Sequence, residues 1–123
     1  MRDIKPSAFD TEKNIASLAS FDSWQRGEPL LAEDKARLCP ERQDLAAIYR
    51  ALRALNGEPT DLVRFTAQLS PDLTLGKLQA ALLVFEERGL VKSEIAGDRL
   101  KAELIETNGK TDITLSPVLA ALR

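Results

Sequence analysis

Between Thr74 and Gly89 apolar residues recur with the period of a helix, and directly after Gly89 the period drops to that of a strand. Leu75, Leu78, Leu82 and Phe85 share one face of a helix that Thr74 can cap and Gly89 can end, since glycine enters the left-handed region at no steric cost. Beyond it, Leu90 to Ala96 and Leu100 to Glu106 flank Gly97-Asp98-Arg99. Leu100, Ala102 and Leu104 alternate there with Arg99, Lys101 and Glu103, the pattern of a β-hairpin with one apolar face. A helix running straight into such a hairpin must bury its stripe against further elements, which confines the chain to a layered α+β arrangement.

Those elements lie on both sides. Leu45, Ile48, Tyr49, Leu52 and Leu55 recur at helical spacing from an initial position at Pro40 to a stop at Asn56-Gly57, leaving Arg42, Arg50 and Arg53 largely off the stripe. Thr60 can cap a short helix carrying Leu62, Phe65 and Leu69 that Ser70-Pro71 stops. Asn108-Gly109 turns the chain, and Ser116-Pro117 starts a closing helix with Val118, Leu119 and Leu122 on its apolar side. Helix, short helix, helix, hairpin and closing helix predict an α+β, mostly α fold: a winged helix-turn-helix with a β-hairpin wing at 90–106 and a C-terminal helix. Residues 74–88 then hold the recognition-helix position.

The first forty residues lack this regularity, being interrupted by Pro6, Gly27 and Pro29. Residues 1–39 therefore read as an N-terminal extension or linker and 40–123 as the winged-helix domain, a division that suits the size of one compact domain. Inside the extension, Ile15 to Trp24 is a weakly amphipathic stretch opened by Asp10-Thr11, with Trp24 as a packing residue.

Composition removes most chemistry. Without histidine the chain lacks the commonest general base and the commonest transition-metal ligand. Cys39 stands alone, so no internal disulfide can form, and the six glycines are too scattered to cradle a phosphate. Glu86 and Glu87 point about 100° apart on a helix, which suits a solvated helix end better than a shared proton or metal. The reading is of a non-catalytic chain with no cofactor and no metal site. No apolar run approaches the ~20 residues of a membrane helix, and the start MRDIKPSAFD lacks a secretory core, so a cytoplasmic location and no membrane partner are expected. Seventeen basic against nineteen acidic residues give a net charge of −2, divided evenly between residues 1–40 and the remainder. No global positive field draws the chain to nucleic acid, and any contact must be local and weak.

Placed at 100° intervals with its leucine stripe inward, the third helix turns Gly76, Ala80, Leu83 and Glu87 outward, with Lys77 and Gln79 on the flanks. Base readout needs Arg, Lys, Asn or Gln at the centre of that face, and Glu87 would repel phosphates. Gly76, Ala80 and Leu83 are accordingly a candidate protein-docking face, covered either by Trp24, Leu30 and Leu31 of the extension or by an outside partner. Lys77, Lys92, Arg99 and Lys101 are the candidate phosphate contacts, with solvated surface charge as the plain alternative.

The run Pro40-Glu41-Arg42-Gln43-Asp44-Leu45, continuing through Ile48-Tyr49-Arg50-Ala51-Leu52-Arg53, resembles the opening of the C-terminal domain of RecJ-type single-stranded-DNA-specific exonucleases. Leu83-Val84-Phe85-Glu86-Glu87-Arg88-Gly89-Leu90-Val91 is similar to that domain's third helix entering its wing, and Leu115-Ser116-Pro117 to its closing motif. Arg2-Asp3-Ile4-Lys5-Pro6-Ser7 resembles the last strand leaving the family's oligonucleotide-binding domain. The likeness is strongest from 40 to 91. It implies a bacterial DNA repair and recombination nuclease that degrades single strands from the 5′ end with divalent metal ions held by Asp-His-His motifs. Those motifs are absent here, so no catalytic residue carries over, and the expectation is an accessory winged-helix fragment. Its partners would be the remainder of the exonuclease and single-stranded-DNA-binding protein. The rival readings are a free-standing winged-helix transcription regulator binding duplex DNA as a dimer, and a structural spacer.

Overall fold

The chain forms α1 (Glu12–Gln25), α2 (Ala32–Leu38), α3 (Arg42–Leu55), β1 (Thr60–Asp61), α4 (Leu62–Leu69), α5 (Leu75–Glu87), β2 (Val91–Ala96), β3 (Arg99–Leu104) and α6 (Pro117–Leu122). The computed structural model describes residues 12–69, 73–105 and 116–122. The expected helix opening at Asp10-Thr11, the stop at Ser70-Pro71, the strand end at Glu106 and the turn at Asn108-Gly109 lie outside them. The architecture is α+β and mostly helical, with one small antiparallel sheet of strand order β1-β3-β2.

Local chemistry sets the element ends. α3 starts two residues after Pro40 because the Asp44 carboxylate accepts the Glu41 N–H at 3.0 Å, making Glu41 the cap. It stops at Asn56, whose φ of 52° is left-handed. Thr60, expected to cap α4, is instead in β1; the Asp61 carboxylate accepts the Arg64 N–H at 2.8 Å and takes the capping role. Thr74 caps α5 as its position predicts, its hydroxyl oxygen accepting from the Lys77 N–H at 3.1 Å. The same hydroxyl donates to the Arg37 carbonyl at 3.1 Å and so ties α5 to the end of α2.

β2 and β3 pair from Val91 opposite Leu104 to Ala96 opposite Arg99. β1 adds Thr60 opposite Leu100 and Asp61 opposite Arg99, and the Leu62 N–H donates to the Asp98 carbonyl at 2.7 Å. Two residues are too short for alternation to reveal, so this strand is visible only in three dimensions. Because side chains alternate across a sheet, Leu100 and Ala102 turn into the core while Lys92, Glu94, Lys101 and Glu103 stay exposed.

The main core gathers Leu45, Ile48 and Leu52 of α3, Leu62 and Phe65 of α4, the inner stripe of α5, and Val91 and Leu100 of the sheet. Tyr49 meets Phe85 edge-on with ring centroids 5.6 Å apart. A second cluster sits on the other side of α5, where Leu38, Ala80 and Leu122 are fully buried among Phe21, Trp24, Leu30 and Val118. Residues 12–38, read from sequence as part of an extension or linker, thus carry two helices that pack on α5. Among the described residues no helix is long and apolar enough to cross a membrane.

Candidate interaction surfaces

α5 is apolar around most of its circumference, and a helix of that kind has to be covered on more than one side. Leu75, Leu78, Leu82 and Phe85 face the main core; Gly76 and Ala80 are buried as well, against α1 and α2. Of the sequence-derived docking face, Leu83 alone remains half-exposed. It stands beside a shallow groove of about 270 Å³ shared by Phe21, Gln79, Glu86, Ser93 and Ile95.

The approach of α1 to α5 is tight at Gly76. A β-carbon built there would lie 2.7 Å from the Ser17 carbonyl oxygen, 2.8 Å from the Ser17 Cβ and 2.9 Å from a Leu38 methyl. Only glycine lets the two helices come this near. Trp24 packs edge-on against Phe21 at 5.9 Å, whereas Leu31, also offered by sequence as a cover, is 68% exposed.

The first turn of α5 is satisfied from a distance. Its leading amides have no partner within the helix, as at any helix start. The Leu75 N–H donates to Asn14 Oδ1 at 2.9 Å and the Gly76 N–H to Ser17 Oγ at 3.1 Å, while the Ser17 hydroxyl donates to the Asn14 carbonyl at 2.9 Å. With Thr74 taking the Lys77 N–H, these amides are committed inside the chain and unavailable to an anion. Sequence reasoning missed Asn14 and Ser17 because the bonds link residues about sixty positions apart, where no local pattern reports them.

α1 is tied to α2 through the Asp34 carboxylate, which also caps α2. The Ser20 hydroxyl donates to Asp34 Oδ1 at 2.7 Å, the Leu31 N–H to Asp34 Oδ2 at 3.1 Å, and Arg37 lies 3.5 Å from the same carboxylate. The Ser20 hydrogen bond first, then the Leu31 amide and the Arg37 charge, hold the Asp34 carboxyl below the usual carboxylate range. Glu86, expected as solvated surface, is exposed but engaged: its Oε1 accepts from Ser93 N at 3.0 Å and Ser93 Oγ at 2.6 Å, pinning the hairpin to α5.

The candidate phosphate contacts do not form a patch of one sign. Lys92 stands directly across from Glu103, Lys101 from Glu94, and Arg99 from Asp61, so every hairpin cation has an acidic residue as its cross-strand neighbour. Lys77 is half-buried in the first turn of α5. Among the described residues no three carboxylate or thiol side chains converge. No family model, no curated protein and no solved structure matches the chain.

Proposed function

We propose that this chain is a winged-helix module of the accessory, non-catalytic kind, serving a RecJ-type single-stranded-DNA exonuclease by docking against the body of the enzyme. The recruitment of single-stranded-DNA-binding protein is the second role it would serve. The winged-helix reading is supported by the order α3, β1, α4, α5, β2, β3, in which the hairpin follows the third helix of the module and a short strand joins its edge. The assignment to the exonuclease is supported by the sequence likeness over 40–91 and by the closing Ser116-Pro117 start of α6.

One observation favours this reading over a transcription regulator. The face of α5 that a regulator would lay in the major groove is occupied by α1 and α2, with Gly76 and Ala80 sealed and the leading amides capped. A groove-reading helix needs that face open and bearing donors and acceptors for base edges. Metal ions would belong to the catalytic part of the parent enzyme, and the chain itself is read as carrying no cofactor.

Interferometry of the purified chain tests this against three ligands: a RecJ-type exonuclease lacking its own C-terminal domain, single-stranded-DNA-binding protein, and a randomised duplex pool. We expect saturable binding to the truncated nuclease, weakened by Leu83→Asp at an unchanged melting temperature, and no cleavage of labelled single strands by the chain with magnesium or manganese. Nanomolar binding to one duplex sequence would replace this reading by the regulator, and absence of binding to both proteins would remove it.

A further inference from the structure

The three arginines of α3 were left by the apolar stripe without a role, and their placement supplies one. At 100° per residue, Arg42, Gln43, Ala46, Arg50, Arg53 and Ala54 occupy a single sector of about 120°, and all six are exposed. No carboxylate lies in that sector; Asp44 is on the other side of the helix and is spent on the Glu41 amide. Among the described residues, none of the three arginines makes an ion pair. In a chain of net charge −2 this is a positive face of unmixed sign, unlike the hairpin, where each cation stands across from an acid.

We propose that this face of α3 binds the phosphate backbone of nucleic acid, without reading bases. The proposal goes beyond the accessory-domain reading and stands or falls separately from it. Arg42 and Arg53 are eleven residues apart, ~16 Å along the helix, about the axial run of five nucleotides in one strand. Guanidinium groups bind phosphate oxygens in a bidentate fork and remain charged at any working pH. The alanines at 46 and 54 let a strand lie close to the helix between the charges.

A protein partner fits this face less well. Protein interfaces centre on apolar or aromatic anchors, and among the described residues the exposed large apolar side chains, Ile15, Leu31, Ile95 and Ile105, all lie outside α3. Recognition by charge in a row, with nothing to anchor, is what a polyanion backbone requires. The overall negative charge keeps the affinity in the non-specific range of ~10⁻⁴ to 10⁻⁶ M.

Fluorescence anisotropy decides it, with the whole chain, labelled oligo(dT) and a labelled duplex of equal length at low and near-physiological salt. Arg50→Glu with Arg53→Glu is compared with Lys92→Glu with Lys101→Glu, which changes the net charge equally. We expect the α3 pair to lose at least ~10-fold in affinity and to flatten the log–log salt slope by roughly 1.4 to 1.8, while the hairpin pair stays within ~3-fold of wild type. Equal losses for the two pairs, a larger loss for the hairpin pair, or no binding of wild type to either probe at low salt would overturn the proposal. So would tighter, α3-dependent binding of a labelled polyglutamate peptide, which would mark the face as a site for acidic protein. Circular dichroism checks folding, and Arg50→Gln with Arg53→Gln gives the same test should charge reversal unfold the chain.

Discussion

Ser17 and Gly76 meet where α1 crosses α5: the Ser17 hydroxyl accepts the Gly76 amide at 3.1 Å, and the Ser17 carbonyl sits 2.7 Å from where a Gly76 side chain would begin. One residue thus supplies a helix cap and a steric limit together. The contact joins the N-terminal helices to the module that follows them and determines which face of α5 is left for other work.

Gly76→Ala tests the steric half. In an open helix alanine would be the better residue by ~1 kcal/mol. Here its methyl group meets the Ser17 carbonyl oxygen and Cβ, which cannot swing aside, as well as a Leu38 methyl, and overpacking costs ~1–3 kcal/mol. After the helix-propensity gain the expected result is a net loss of up to ~2 kcal/mol in urea unfolding; a midpoint raised as in an open helix would show that α1 is not seated at this position.

Asn14→Ala tests the capping half. It removes the acceptor of the Leu75 amide, which is then buried without a partner, a loss of ~1–3 kcal/mol. Thermal melting should fall, and hydrogen exchange at the Leu75 amide should quicken more than at Lys77, whose amide keeps Thr74 as its acceptor. Equal exchange at both positions would contradict the pairing.

The link between α1 and α2 should respond to acid. The Ser20 hydrogen bond holds the Asp34 carboxyl below its usual range in the folded chain, so ionised Asp34 favours folding. That contribution is complete above the unfolded-state value and is lost as pH falls through the lowered folded value. The stability difference between wild type and Asp34→Asn should therefore be largest near neutrality and close towards zero in strong acid. A difference constant with pH would exclude the Asp34 charge as its source.

Much of the module was legible because its signals are local. Thr74, the Leu75 to Phe85 stripe and Gly89 define α5 within sixteen residues, and alternation around Gly97 defines the hairpin. The expected boundaries failed where a neighbouring side chain chose among caps: Asp44 moved the start of α3 past Pro40, and Asp61 displaced Thr60. The arginine sector of α3 was also implicit, since a helix with a known inner stripe has a known outer face.

By itself the sequence determined that α5 needs cover on its outer side, because glycine, alanine and leucine at the centre of that face leave little polar surface to hold water. What covers it was decided only by tertiary structure. α1 buries Asn14, Ser17 and Ser20, a stripe of small polar residues at i, i+3 and i+6, and leaves Ile15 54% exposed. Hydropathy does not single out that polar stripe as buried, although Leu18, Phe21 and Trp24 of the same helix also pack inward. Its buried face is chosen by the α5 amides it must satisfy and by the close approach that Gly76 permits, and both lie about sixty residues away along the chain.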